Sequence, residues 1–311
     1  MPKVLISDAL SNLANEVFIN NNIEVDTIID LKPEDLRKII HNYDGLVVRS
    51  ATKATDEIIS SGKNLKIIGR AGAGVDNIDL ISAKKNNVIV MNTPGGNTNA
   101  TAEHTLSLLM SLYRNIPEAN LGTHNGLWEK KKFKGLELKG KKLGIIGFGN
   151  VGERLSEIAI ALGMKISVFS ESFAVRKKNY PNIANLSLND LISMSDIISF
   201  HCKPPKDGKQ IISANELKMM KKDAVIINTA RGNLINEKDL KEALEKNIIK
   251  GAALDVFSEE PAKDNILFGT KNLILTPHIA ASTVEAQLVV AEQIALQISN
   301  YFNKNEIINS L

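Results

Sequence analysis

Leu143-Gly144-Ile145-Ile146 runs straight into Gly147-Phe148-Gly149-Asn150-Val151-Gly152 and then Glu153-Arg154-Leu155. A strand that turns on G-x-G-x-x-G and opens a helix limits this chain more than any other feature, because each glycine has its own geometric task. The first permits a tight turn, the second lets backbone approach a pyrophosphate, and the third lets helix and strand pack closely. Amides at the helix N-terminus lack internal partners and can bind an anion. An acidic residue ending the next strand would accept from an adenosine ribose. That strand ends Val168-Phe169-Ser170-Glu171, so Ser170 holds the strand-end place and Glu171 follows it. A purely structural turn shares the glycine pattern, and the rest of the chain must decide.

The surroundings favour a nucleotide site. Lys3–Ser7, Gly45–Arg49, Leu65–Gly69 and Val88–Met91 read as buried strands, separated by amphipathic pieces such as Pro33–His41 with Leu36, Ile39 and Ile40 on one side. Asn92-Thr93-Pro94-Gly95-Gly96 closes this first series. A helix from about Thr101 keeps Leu106, Leu109, Met110 and Tyr113 at helical spacing until Pro117 stops it. The alternation restarts with Leu143–Ile146, Ile166–Phe169, Ile197–Phe200, Ala224–Ile227, Gly251–Val256 and Leu273–Leu275 as strands. After Ser282 a last helix carries Val284, Leu288, Ala291, Ala295, Ile298 and Phe302. Strand–helix alternation predicts an α/β chain of two doubly wound parallel-sheet domains, the second inserted in the first.

Composition excludes several classes. The chain has 311 residues, 43% apolar and 23% charged, enough for two packed cores and too apolar for wholesale disorder. It has no 18-residue apolar run, and its start turns polar too soon for a signal peptide. With Cys202 as its one cysteine it makes no internal disulfide, and no Cys/His spacing suits a metal, so a reduced, cytoplasmic chain without metal is expected. Net charge is +3, from 38 basic and 35 acidic residues. The basic stretch through Trp128, Lys130, Lys131, Lys132, Phe133 and Lys134 lacks the spaced aromatics of a nucleic-acid platform and reads as a solvated connector. Neither nucleic acid nor membrane is expected as a partner.

Three further strand ends carry unusual polar residues: Asn228-Thr229-Ala230-Arg231-Gly232, Phe257-Ser258-Glu259-Glu260-Pro261 and Thr276-Pro277-His278. Open α/β sheets build their sites at carboxyl ends of strands. Arg231 suits a carboxylate, His278 suits proton transfer and Glu260 suits orienting that imidazole. His41, His104, His124 and His201 show no ligand spacing and read as ordinary helix, connector or cleft residues, and Cys202 as cleft wall.

At these residues the sequence resembles the D-isomer-specific 2-hydroxyacid dehydrogenases, and within them the phosphoglycerate-oxidising branch. The similarity includes Val48-Arg49-Ser50-Ala51-Thr52-Lys53, Gly69-Arg70-Ala71-Gly72-Ala73-Gly74-Val75-Asp76-Asn77, Met91-Asn92-Thr93-Pro94, Thr229-Ala230-Arg231-Gly232, Ala253-Leu254-Asp255-Val256-Phe257 and Pro277-His278-Ile279. The resemblance implies a Rossmann dinucleotide-binding domain (97–282) inserted in a flavodoxin-like substrate domain (1–96 and 283–311). It implies Arg231, Glu260 and His278 as the catalytic three. NAD would meet Gly147, Gly149, Asn150, Val151, Gly152, Ser170, Cys202, Thr229, Ala230, Arg231, Asp255, His278, Ala280 and Ala281, and substrate would meet Arg49, Arg70, Ala73 and Asn97. A homodimer through the nucleotide domains is implied as well. The expected reaction is NAD-dependent oxidation of D-3-phosphoglycerate. A glyoxylate or hydroxypyruvate reductase and an NAD(H)-sensing binding protein stay open as alternatives.

Two departures stand out. Ser170 replaces the family's usual acid, which leaves NADP open beside NAD. The chain stops at Leu311, just after the returning helix, so no serine-sensing C-terminal module is expected.

Overall fold

The computed structural model describes residues 1–311, in two compact units: Met1–Asn97 with Ser282–Leu311, and Thr98–Ala281. The first unit begins β1 (Lys3–Ile6), α1 (Leu13–Asn20), β2 (Glu24–Thr27), α2 (Pro33–Ile39), β3 (Gly45–Val48), α3 (Asp56–Ser61), β4 (Ile67–Arg70), α4 (Leu80–Lys85) and β5 (Ile89–Asn92). Its five strands are all parallel in the order β2-β1-β3-β4-β5. Along β1 the period of two is plain. Leu5 joins Leu36, Ile40, Leu46 and Ile68 on one face, and Val4 and Ile6 join Phe18, Ile67 and Met91 on the other. Both faces are covered, so these strands read as continuous apolar runs rather than alternating ones.

The second unit contains α5 (Thr98–Tyr113), α6 (Ile116–His124), β6 (Lys142–Ile146), α7 (Asn150–Ala161), β7 (Lys165–Phe169), α8 (Phe173–Arg176), β8 (Ala184–Asn185), α9 (Leu188–Met194), β9 (Ile197–Phe200), α10 (Ala214–Met219), β10 (Val225–Asn228), α11 (Glu237–Glu245), β11 (Gly251–Leu254) and β12 (Leu273–Leu275). The seven parallel strands run β12-β11-β10-β9-β6-β7-β8, so the order reverses between β6 and β9. Ligands of such sheets bind outside the carboxyl ends at that reversal. Leu143, Ile145, Ile197, Val225 and Ile227 build one core layer, and Ile146, Ile198, Phe200, Ile226 and Leu254 the other. Each such fully buried side chain contributes roughly 1.5–3 kcal/mol. Helix α5 packs on α7 and on β10, β11 and β12. Its Thr101, Thr105, Leu108 and Leu109 are buried.

The chain then returns to the first unit as α12 (Val284–Lys304), which packs on α1, β4 and β5. Gly69 on β4 makes room for it, since a Cβ there would lie 2.6 Å from Ile298 Cδ1. The buried stripe of α12 is displaced from the expected one. Ala286, Val290 and Ile294 join Ala291, Ala295 and Ile298 inside, while Val284 and Leu288 are exposed.

Two strands carry no clear sequence signal. β2 reads Glu-Val-Asp-Thr and β8 is two residues long; both are sheet edges, where one neighbour and solvent replace a buried face. Pro117 does end the helix before it, yet it also opens α6 from the first turn, a position that tolerates its missing N–H. The basic stretch is an exposed connector between α6 and β6 that contains neither helix nor strand. No helix is long and apolar enough to cross a membrane.

Candidate active site

The glycine-rich turn sits at the carboxyl end of β6, at the sheet's reversal point. Gly147 has φ of +90°, and a Cβ there would lie 2.5 Å from the His201 carbonyl oxygen and 2.6 Å from Cys202 Cβ. A Cβ on Gly152 would lie 2.5 Å from the Gly147 carbonyl oxygen. Both glycines are therefore required by close approach. At Gly149 nothing lies within 4 Å of the Cβ direction, and no side chain caps α7 there. The first-turn amides of Asn150, Val151 and Gly152 lack partners within the helix, and a turn of this kind fits a pyrophosphate.

The end of β7 is arranged by short polar links. Ser170 is nearly buried; its N–H donates to Asn185 Oδ1 (3.1 Å), and its hydroxyl lies 3.1 Å from that of Ser172. Glu171 is exposed. Arg176 folds back to the start of α7, where Nη1 bonds Glu153 and Nη2 donates to Asn150 Oδ1 at 3.1 Å. Its charge is compensated there.

Arg231, Glu260 and His278 come from the loops after β10, β11 and β12, which neighbour one another in the sheet. Asn228 braces the first of these turns, accepting from Ala230 N–H (3.0 Å) and donating to the Arg231 carbonyl (2.8 Å). Gly232 permits the next contact, since a Cβ there would lie 1.8 Å from the Phe257 carbonyl carbon. Glu260 Oε1 accepts from Phe257 N–H at 3.0 Å, and Oε2 lies 2.6 Å from His278 Nδ1. That hydrogen bond raises the pKa of His278 above 6.5, opposed by burial and by the nearby charge of Arg231. Burial pushes the Glu260 carboxyl up, but hydrogen bonds from His278 and Phe257 outweigh it and hold it below the usual range. An ionised carboxylate only accepts, so Nδ1 carries the proton and Nε2 is left for a reacting partner.

Behind His278 lies Asp255, with no exposed surface. Its Oδ1 accepts from Thr276 Oγ1 (2.5 Å) and Ile279 N–H (2.9 Å), and its Oδ2 from Ala280 N–H (2.8 Å). These bonds clamp the backbone on both sides of His278, which adopts a left-handed φ of 54°. His104 of α5 also reaches this carboxylate, with Nε2 3.4 Å from Oδ1 and 3.2 Å from Thr276 Oγ1. The reading of His104 as an ordinary helix residue is therefore corrected: the sequence places it 151 positions before Asp255, and only the packing of α5 on β11 and β12 unites them. Its neighbour Thr105 meets Thr229, with hydroxyls 2.7 Å apart. Neither contact has a local sequence signal.

Thr229 and Ala280 are buried, and Val151, Ala230 and Ala281 are half-buried. Burial pushes the Cys202 thiol up to about 11, which keeps it protonated and no nucleophile. His201 bonds the Ser199 hydroxyl (2.8 Å), and burial holds its pKa down to about 3. His41 and His124 are exposed.

Arg49, Arg70, Ala73 and Asn97 belong to the first unit. There Val48, Arg70 and Asn92 lie in register at the carboxyl ends of β3, β4 and β5, with Arg49 directly after. Asp8 holds the Arg49 loop, accepting from the N–H groups of Arg49 (2.5 Å) and Thr52 (3.0 Å). Asn92 Nδ2 donates to the Ala73 carbonyl at 2.6 Å. The Arg70 guanidinium lies against Gly72, where a Cβ would be 1.8 Å from Nη1.

Fold and site together define an α/β protein with a glycine-rich dinucleotide turn and a His–Glu pair at the carboxyl ends of one parallel sheet. Residues 106–280 match the family model for the NAD-binding domain of D-isomer specific 2-hydroxyacid dehydrogenases. A D-3-phosphoglycerate dehydrogenase of Synechocystis is 41% identical over 298 residues, 96% of this chain and 54% of that protein. A hydroxypyruvate reductase of Thermotoga maritima is also 41% identical, over 95% of this chain and 97% of its own. The structure of an NAD+-bound 3-phosphoglycerate dehydrogenase from Entamoeba histolytica superposes with a TM-score of 0.85 at 30% identity, covering 100% of this chain and 98% of its own. This chain belongs to the D-isomer specific 2-hydroxyacid dehydrogenases. It spans about half the length of the phosphoglycerate dehydrogenases it matches.

The Glu260–His278 bond has a pH signature. A raised imidazole pKa means the pair contributes fully below the free value of 6.5 and is lost as pH rises through the folded value. The lowered Glu260 pKa adds a contribution above 4.5 that is lost in more acid solution. In Glu260→Gln, an NMR titration of His278 should show its pKa moved down towards or below 6.5. An unmoved value would mean that Glu260 does not set it.

Proposed function

We propose that this protein oxidises D-3-phosphoglycerate to 3-phosphohydroxypyruvate with NAD, a step on the route to serine. The observation that carries the reading is the 2.6 Å Glu260–His278 pair lying within reach of Arg231's charge. Nicotinamide, when bound, supplies the hydride acceptor. Arg231 binds the substrate carboxylate and polarises the reacting C–O group through a planar, permanently charged fork. Neutral His278 takes the hydroxyl proton on Nε2 during oxidation and returns it during reduction. Glu260 keeps Nδ1–H in place and steadies the imidazolium that forms. Asp255 acts by holding the loop rather than by moving a proton. NAD is favoured over NADP because Arg176 is already paired with Glu153 and Glu171 adds an unpaired negative charge beside Ser170. The second reading, a hydroxypyruvate reductase, rests on the equal 41% identity of the Thermotoga relative.

A panel of D-3-phosphoglycerate, glyoxylate and hydroxypyruvate with both cofactors tests the reading. The highest kcat/KM is expected for D-3-phosphoglycerate with NAD. The oxidation rate should rise with pH through the raised His278 pKa, because the neutral imidazole is the base, and the reduction rate should fall through the same value. His278→Ala should lower kcat by roughly 10²–10⁴ and leave NADH binding intact. NADH binding without turnover of any of the three would instead support a sensing protein.

Arg49 is proposed to serve the substrate phosphate, for which arginine offers bidentate bonds. Arg49→Ala should raise KM for D-3-phosphoglycerate far more than for unphosphorylated hydroxypyruvate. An equal loss for both would favour the reductase.

A homodimer is proposed through α6 and the connector after it. No side chain of this nine-residue helix is buried, and so short a helix is marginal alone in water. Leu121, Leu127 and Trp128 are 64%, 51% and 84% exposed, an apolar face that a second copy would cover. Sedimentation should give a dimer, and Leu121→Asp should shift it towards monomer.

A further inference from the structure

We propose that His104 is a positioning residue that holds the His278 loop by donating a hydrogen bond from Nε2 to Thr276 and Asp255. The inference deepens the oxidoreductase reading and rests on it for its kinetic arm alone.

The donor direction follows from counting protons. Thr276 has one hydroxyl proton, and the 2.5 Å contact with Asp255 Oδ1 uses it. Asp255 has none to give. Burial pushes its carboxyl up, but bonds from His104, Thr276, Ile279 and Ala280 outweigh that and keep it ionised. At 3.2 Å from Thr276 Oγ1 and 3.4 Å from Asp255 Oδ1, His104 Nε2 therefore faces two acceptors and must itself carry a proton.

The consequence reaches His278 through backbone. Thr276 precedes it, Ile279 and Ala280 follow it, and all three are tied to the carboxylate that His104 supports. A histidine at φ 54° needs such a clamp, because an L side chain crowds its own carbonyl there. The adjacent Thr105 ties the same helix to Thr229, two residues before Arg231. One pair of neighbours on α5 thus braces the loops that carry Arg231 and His278, and so fixes their separation.

Glutamine and methionine separate donation from packing, since they match in length and only glutamine has a donor. In His104→Met, kcat should fall about tenfold, as for a slightly misplaced reacting group, with KM for NAD and substrate changed less than about threefold. His104→Gln should recover most of that loss. In the wild-type protein, 15N NMR of the five histidines should show His104 protonated at Nε2. The His278 signals should move in His104→Met and stay near their wild-type positions in His104→Gln. A His104 protonated at Nδ1 alone overturns the proposal, and so do equal losses in both variants or none in either. If the wild-type protein turns over no D-2-hydroxy acid, the oxidoreductase reading fails, and the NMR results decide the role of His104 by themselves.

Discussion

A wholly buried carboxylate, Asp255, organises the site. Leaving a charge unpaired in such a place costs several kcal/mol, so it persists only with its lone pairs occupied. Here the donors are a hydroxyl, two consecutive amides and an imidazole. The requirement is mutual: the amides of Ile279 and Ala280 need an acceptor, and the charge needs them. The left-handed backbone of His278 is the conformation that results, and it aims the imidazole at Glu260.

The other half of the arrangement comes from close backbone approach. Gly232 brings the β10 loop against the Phe257 carbonyl, and Gly147 brings the β6 turn against the His201 carbonyl. A methyl group at either place would push neighbouring strand ends apart. The loops that offer Arg231 and Glu260 therefore meet because a side chain is missing, and so do the β6 turn and the chain after β9. Charge follows the same economy. Arg176 neutralises Glu153 at the start of α7, which leaves the helix amides as the local source of positive potential.

Much of this was legible in the chain. Parallel strands covered on both faces must be apolar throughout, and ten of twelve read as apolar runs near their observed bounds. The two that escaped, β2 and β8, lie at edges where burial does not dictate composition. The stripe of α12 drifted because a helical pattern gives spacing, whereas the neighbours it packs on decide which face turns inward. Arg231, Glu260 and His278 stand out because polar residues within a few positions of an apolar strand's end lie at the sheet's carboxyl edge.

By itself the sequence determined the α/β class, the glycine turn and the polar residues at strand ends, since these depend on periodicity and steric limits within a few residues. Tertiary structure alone decided that His104 meets Thr276 across 172 positions and that Thr105 meets Thr229. It also decided that Arg176 folds back on Glu153. A hydrogen bond between distant residues leaves no spacing to read, because its partners are chosen by how helices settle on the sheet.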